Sequence, residues 1–266
     1  MDAQLSRAIL ARGMEIQHAD VGDQLITKNL KSPESLDRFY RLMHRYSFRL
    51  FLRDLLEFQP SSTLQDLTHY CSEGAAHRYL KALEDFQIVR QDRDGKSTLL
   101  VDFVPNFGET LEWYIAEALR RDFGAPTSFR VVLRNGHFGG DYDVLALIGH
   151  FLLYVEVKSS PPKAVDNQQV RNFLSRIQDL LPDIAIFFED THLRMKDKIV
   201  RLFEEELIRR YGWLAKDTFP VIRLKNELFH TNHRVYIVNS KGGIANNFRT
   251  CFRDALSFFL KQNGMP

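Results

Sequence analysis

Apolar positions recur at helical spacing through residues 35–58, "SLDRFYRLMHRYSFRLFLRDLLEF", where Phe39, Leu42, Met43, Tyr46, Leu50 and Leu55 share a face until "QPSS" at 59–62 interrupts them. One helix or two abutting helices are predicted there. A short helix is predicted in "STLQDLTHYC", capped by Ser62 or Thr63. A longer one follows in "EGAAHRYLKALEDFQI", capped by Ser72, with Leu80, Leu83 and Phe86 turned inward. "VRQDRDGKSTLLV" alternates about Asp94-Gly95, a dipeptide suited to a tight hairpin turn, and predicts two strands with a basic tip.

After a linker or turn in "VPNFG", the period changes repeatedly. "ETLEWYIAEALRRDFG" predicts a helix ending at Gly124, with Leu111, Tyr114 or Ile115, Ala118 and Leu119 on one face. Strands are predicted in "SFRVVLRNG", "DYDVLALIG" and "HFLLYVEVKS", then a helix in "DNQQVRNFLSRIQDLL" and a strand in "DIAIFFED". A long helix over residues 193–211, a strand "HRVYIVNS" and a last helix "NNFRTCFRDALSFFLKQ" complete the pattern. This order predicts an α/β fold of three layers, a mixed sheet between helices, over residues 105–266, preceded by a mainly helical domain over 1–104. Of the first 30 residues the pattern predicts only a helix over 3–12.

Composition narrows the classes. With 44% hydrophobic and 26% charged residues among 266, the chain reads as globular, and a net charge of +2 means that any nucleic-acid surface comes from local clustering of its 36 basic residues. Cys71 and Cys251 lie far apart in apolar surroundings and read as reduced thiols of a cytoplasmic protein rather than as a zinc site. The N-terminal stretch lacks the apolar core of a signal peptide, and no run of apolar residues is long enough to span a membrane. No glycine-rich phosphate loop follows a strand, no serine or cysteine stands in a nucleophile elbow, and the histidines, His137 and His150 among them, show no metal-ligand spacing and read as turn or surface residues.

The helix, helix, helix, hairpin order over residues 41–103 resembles a winged helix-turn-helix domain. That resemblance implies contacts to duplex DNA from His77, Arg78 and Lys81 on the third helix and from Arg90, Arg93 and Lys96 on the wing. Used differently, the same domain makes protein contacts or a homodimer.

The stretch "DYDVLALIGHFLLYVEVKSS" poses a different problem, because it sets Asp143, Glu156 and Lys158 into two otherwise apolar strands. Buried charges require partners. Alternation puts Tyr154, Glu156 and Lys158 on one face, and antiparallel pairing through Gly149 brings Asp143 opposite Glu156. Two neighbouring carboxylates repel, and a hard divalent cation makes them compatible, while the lysine can hold or deprotonate a bound water. Asp141 is expected to precede the strand.

In Asp143, twelve intervening residues and Glu156-Val157-Lys158, the sequence resembles the PD-(D/E)XK nuclease superfamily, the restriction-endonuclease-like fold with its Mrr-like members. The resemblance covers residues 108–190. It implies Mg²⁺ or Mn²⁺ held by Asp143, Glu156 and the Val157 carbonyl, with Glu112 on the preceding helix as a further acidic residue and Glu109 as its competitor. Lys158 would position or activate water, and Gln169 would flank the site. The implied activity is metal-dependent hydrolysis of DNA phosphodiesters, with Lys163, Arg171 and Arg176 as basic flanks. The alternatives are a nuclease-fold DNA-binding or regulatory protein that does not cleave, and a nuclease directed at RNA.

Overall fold

Asp2 accepts hydrogen bonds from the Gln4 and Leu5 amides and so caps the first helix, α1 (Ala3–Leu10), which β1 (Glu15–His18) follows. The structure, a computed structural model, describes residues 2–22, 24–30 and 32–262. They fall into two compact units, one within Met1–Val21 and Ile115–Pro266, the other within Gly22–Tyr114.

In the smaller unit, Ser32 caps α2 (Pro33–Met43), and α3 (Tyr46–Glu57) begins after a break at Arg45, so the long apolar pattern resolves into two helices. β2 (Ser61–Ser62) occupies part of the segment expected to be a breaker. The expected short helix reduces to one 3-10 turn, Gln65–Leu67, where Thr63 spends its amide and hydroxyl on the Asp66 carboxylate. Ser72 caps α4 (Glu73–Asp85), as expected. β3 (Val89–Gln91) and β4 (Ser97–Leu99) pair around Gly95, which takes a positive φ, and the sheet order is β2-β4-β3. Aromatic edges close the core, with Phe48 and Phe51 both meeting Tyr79 at 5.0 and 5.4 Å.

α5 (Gly108–Phe123) runs from the smaller unit into the larger one and stops before Gly124 at φ 62°. Then come β5 (Thr127–Arg134), β6 (Asp141–Ile148), β7 (Phe151–Lys158), α6 (Asn167–Leu180), β8 (Ile184–Glu189), α7 (Arg201–Tyr211), α8 (Ala215–Thr218), β9 (Ile222–Lys225), β10 (Leu228–Thr231), β11 (Val235–Asn239) and α9 (Ile244–Gln262). The long helix expected over 193–211 is shorter, because a π-helical turn at Lys196–Val200 precedes α7.

The large sheet has the order β1-β5-β6-β7-β8-β11-β10-β9. β7, β8 and β11 are parallel neighbours and the other pairings are antiparallel, so the sheet is mixed. Three of its strands, β1, β9 and β10, were not predicted. Each is four residues long, too short to show an alternation above its neighbours. β8 is buried along its whole length, and its alternate residues serve two layers. Phe187 packs against Phe173 of α6 and Phe203 of α7, both at 5.4 Å, while Phe188 on the other face meets Phe248 of α9 at 5.8 Å. Leu5 and Ile9 of α1 join the first layer, and Phe123 of α5 meets Phe252 of α9 in the second. The architecture is the three-layer mixed α/β arrangement that the alternating periods predict.

Candidate active site

β6 and β7 form a hairpin through Gly149 and His150, with Ile148 opposite Phe151 and Val144 opposite Val155. Continuing this register sets Asp143 across from Glu156. Asp143 Oδ2 accepts a 2.7 Å hydrogen bond from the Val157 amide, which ties the carboxylate to the far strand. Asp141 does not precede the strand. It is the first residue of β6, opposite Val132, and takes a 3.2 Å ion pair from Arg130, whose φ of 49° turns it out of the regular ladder.

Asp143 and Glu156 are 9% and 3% exposed, so neither charge is carried by bulk water. Burial, reinforced by the neighbouring Glu156, pushes the Asp143 carboxyl up to about 7. Lys158 Nζ donates to Glu156 Oε1 at 2.7 Å. Burial works against its charge, but the Glu156 and Asp143 carboxylates outweigh burial and hold the ammonium above its ordinary value.

Two partners of Glu156 escaped the sequence reading. The Tyr154 hydroxyl donates to Glu156 Oε2, and Arg176 Nη1, arriving from α6, reaches the same oxygen at 3.2 Å. Burial and the adjacent carboxylate keep the Tyr154 phenol protonated, well above its ordinary value. Alternation already put Tyr154 and Glu156 on one face, so that contact had a local signal; Arg176 offered only its charge. Gly140, at φ 93°, leaves room for Arg176, since a Cβ there would lie 2.8 Å from Nη2. Beside the pair, buried Glu189 at the end of β8 is level with Lys158.

The remaining residues named from sequence are distributed differently. Glu112 is half-buried on the part of α5 that belongs to the smaller unit, whereas the hairpin belongs to the larger. Gln169 is engaged in a capping box: Asp166 accepts from the Gln169 amide at 2.9 Å and the Gln169 side chain accepts from the Asp166 amide at 3.1 Å. Its polarity is used at the helix start. Asp166→Ala should therefore cost about 1 kcal/mol and Gln169→Ala less, both read by urea denaturation, with hairpin chemistry unchanged. A large loss of activity with unchanged stability in Gln169→Ala would return that residue to the site. Arg171 pairs with Glu206 at 3.5 Å, while Lys163 is exposed. His77, Arg78 and Lys81 are exposed on α4, as are Arg90, Arg93 and Lys96 around the β3–β4 turn.

The expectation that the histidines are turn or surface residues fails at His230. His230 is 4% exposed and gathers with His233 and Asp254. No helix among the described residues is long and apolar enough to cross a membrane.

No protein-family model and no curated protein matches the chain. Among solved structures, protein VC1899 from Vibrio cholerae is similar, with a TM-score of 0.53 and 16% identity over 96% of this chain and 61% of that one. Can2 from Sulfobacillus thermosulfidooxidans, solved with cyclic tetra-adenylate, aligns at a TM-score of 0.47 and 11% identity over 96% of this chain and 60% of that one. This chain thus spans about three fifths of either structure, and its likeness to VC1899 is one of fold.

Proposed function

We propose that the chain is a divalent-metal-dependent DNA endonuclease of the PD-(D/E)XK kind, with the smaller unit serving as a winged helix that holds duplex DNA. The observation that carries this reading is the end of the hairpin, where Asp143 stands across from Glu156 and Lys158 Nζ lies 2.7 Å from the Glu156 carboxylate. The donor set fits a hard cation: two buried carboxylates whose mutual repulsion helps raise Asp143 to about 7, and the carbonyl of Val157, which follows Glu156 on β7. Mg²⁺ or Mn²⁺ held by Asp143, Glu156 and the Val157 carbonyl would supply Lewis acidity toward a phosphate oxygen and a bound water. Lys158, kept protonated by the carboxylates, would neutralise charge developing on the scissile phosphate and orient the water. Tyr154 and Arg176 would fix the rotamer of Glu156. The test is nicking of supercoiled plasmid by the purified chain in Mg²⁺ or Mn²⁺, abolished by chelator.

One observation favours a second reading. Lys158 and Arg176 already place two cations against Glu156, so that carboxylate is compensated without metal. A DNA-binding protein of this fold that does not cleave would need no more. Duplex binding without nicking in either metal would select it.

On the smaller unit, the double variant Arg78→Ala, Lys81→Ala should weaken duplex binding and reduce the slope of log affinity against log salt by about 1 to 2, since fewer counterions are released. Chemistry at the hairpin should survive. Equal affinity and slope for variant and wild type would assign this face to protein contacts.

A further inference from the structure

Three residues outside the hairpin bring together a donor set of another chemical type. β10 contributes His230, and the turn to β11 contributes His233, while Asp254 projects from the last helix, α9. One donor atom from each lies within 4.8 Å of the donors of the other two. The turn is what makes the histidines neighbours. Asn232 and His233 both take left-handed backbone, with φ of 52° and 53°, and Arg234 N closes the turn on Thr231 O at 3.2 Å. The His233 ring thereby folds back over His230, with centroids 4.1 Å apart, and its own amide donates to His230 Nδ1 at 3.2 Å.

The surroundings hold these side chains in place. His233 Nδ1 lies 2.8 Å from Asp254 Oδ2, Tyr236 Oη donates to the same oxygen at 2.7 Å, and Phe258 stacks on the His233 ring at 4.7 Å. A phenol bonded to a carboxylate ligand is the kind of outer partner that fixes ligand orientation in metal sites.

We propose that His230, His233 and Asp254 form a binding site for a divalent first-row transition ion, zinc in particular, separate from the hairpin carboxylates. Two imidazoles and one carboxylate suit a borderline ion and discriminate against Mg²⁺, which takes oxygen ligands and keeps its waters. Three protein ligands leave a tetrahedral ion one open position. The ion takes the place of the hydrogen bond between His233 and Asp254 and is ligated by neutral imidazole, so protons compete with it for the site.

The test uses the chelator-treated full chain, titrated calorimetrically with zinc chloride in excess Mg²⁺. One equivalent should bind, and binding should persist in the double variant Asp143→Asn, Glu156→Gln. Asp254→Asn and His233→Asn should each lower zinc affinity by about a hundredfold; asparagine tolerates the left-handed backbone at 233, which keeps the turn. Should either variant fold poorly, the visible spectrum of cobalt bound to wild type decides, since imidazole and carboxylate ligation distinguishes it from hydrated cobalt. Stoichiometric zinc lost only in the two local variants, or a ligated cobalt spectrum, supports the site. No stoichiometric zinc in wild type, undiminished zinc in both variants, loss only in the hairpin variant, or cobalt that stays hydrated overturns it.

Discussion

Lys158→Ala should lower the rate of plasmid nicking by about a thousandfold, a loss of about 4 kcal/mol of transition-state stabilisation, while metal and DNA binding stay near wild type. The side chain is largely buried, and its ammonium rests 2.7 Å from Glu156 at the open end of the hairpin. It is also held above its ordinary pKa, so at neutral pH it would serve as a fixed positive charge rather than as a base. The fold should tolerate the loss, because Tyr154 and Arg176 still satisfy Glu156. Lys158→Arg should not restore the rate. A planar fork needs more room than an ammonium and places its charge differently. The measurement is single-turnover cleavage at saturating metal. A variant as fast as wild type removes lysine from the mechanism. A wild type that cuts no linear, supercoiled or branched DNA in Mg²⁺ or Mn²⁺ gives way to the non-cleaving reading.

Asp143→Asn should stabilise the metal-free protein by about 2 to 4 kcal/mol at pH 8 and by little at pH 4, while lowering divalent-metal affinity. The sign follows from the direction of the shift. Burial and the Glu156 charge raise Asp143 to about 7 in the folded chain, above the ordinary carboxylate range of the unfolded one. A carboxyl with a raised folded pKa contributes stability that is complete below the unfolded pKa and is lost as pH rises through the folded one. The loss therefore runs from about pH 4 to about pH 7. Asparagine carries no charge to desolvate, and its side-chain oxygen can still accept the Val157 amide. Glu156→Gln should act in the opposite sense on stability, since Lys158 and Arg176 would lose their common carboxylate. Urea denaturation at both pH values, in chelator, gives the comparison. A difference for Asp143→Asn that is equal at pH 4 and pH 8 would refute the raised pKa. Metal binding unchanged in both variants would refute the carboxylate site.

What the sequence determined by itself was local. Alternation in residues 141–158 placed Tyr154, Glu156 and Lys158 on one face, and a two-residue turn at Gly149 set Asp143 against Glu156, because a side-chain period of two and a tight turn leave one register that buries the apolar residues. Helix caps at Ser72 and Gly124 were equally legible, since a cap bonds within a few residues of itself. Tertiary structure alone decided the rest. Arg176 reaches Glu156 from 20 residues away on another element, and Asp254 reaches His233 across 21, neither pairing carrying a spacing rule. Arg171 pairs with Glu206 on α7, a partner 35 positions away. β1, β9 and β10 extend the sheet at its two edges although their sequences are too short to alternate visibly. The difference is physical: backbone geometry links residues a few positions apart, whereas the partner of a buried charge is chosen by whatever the packed layers bring within reach.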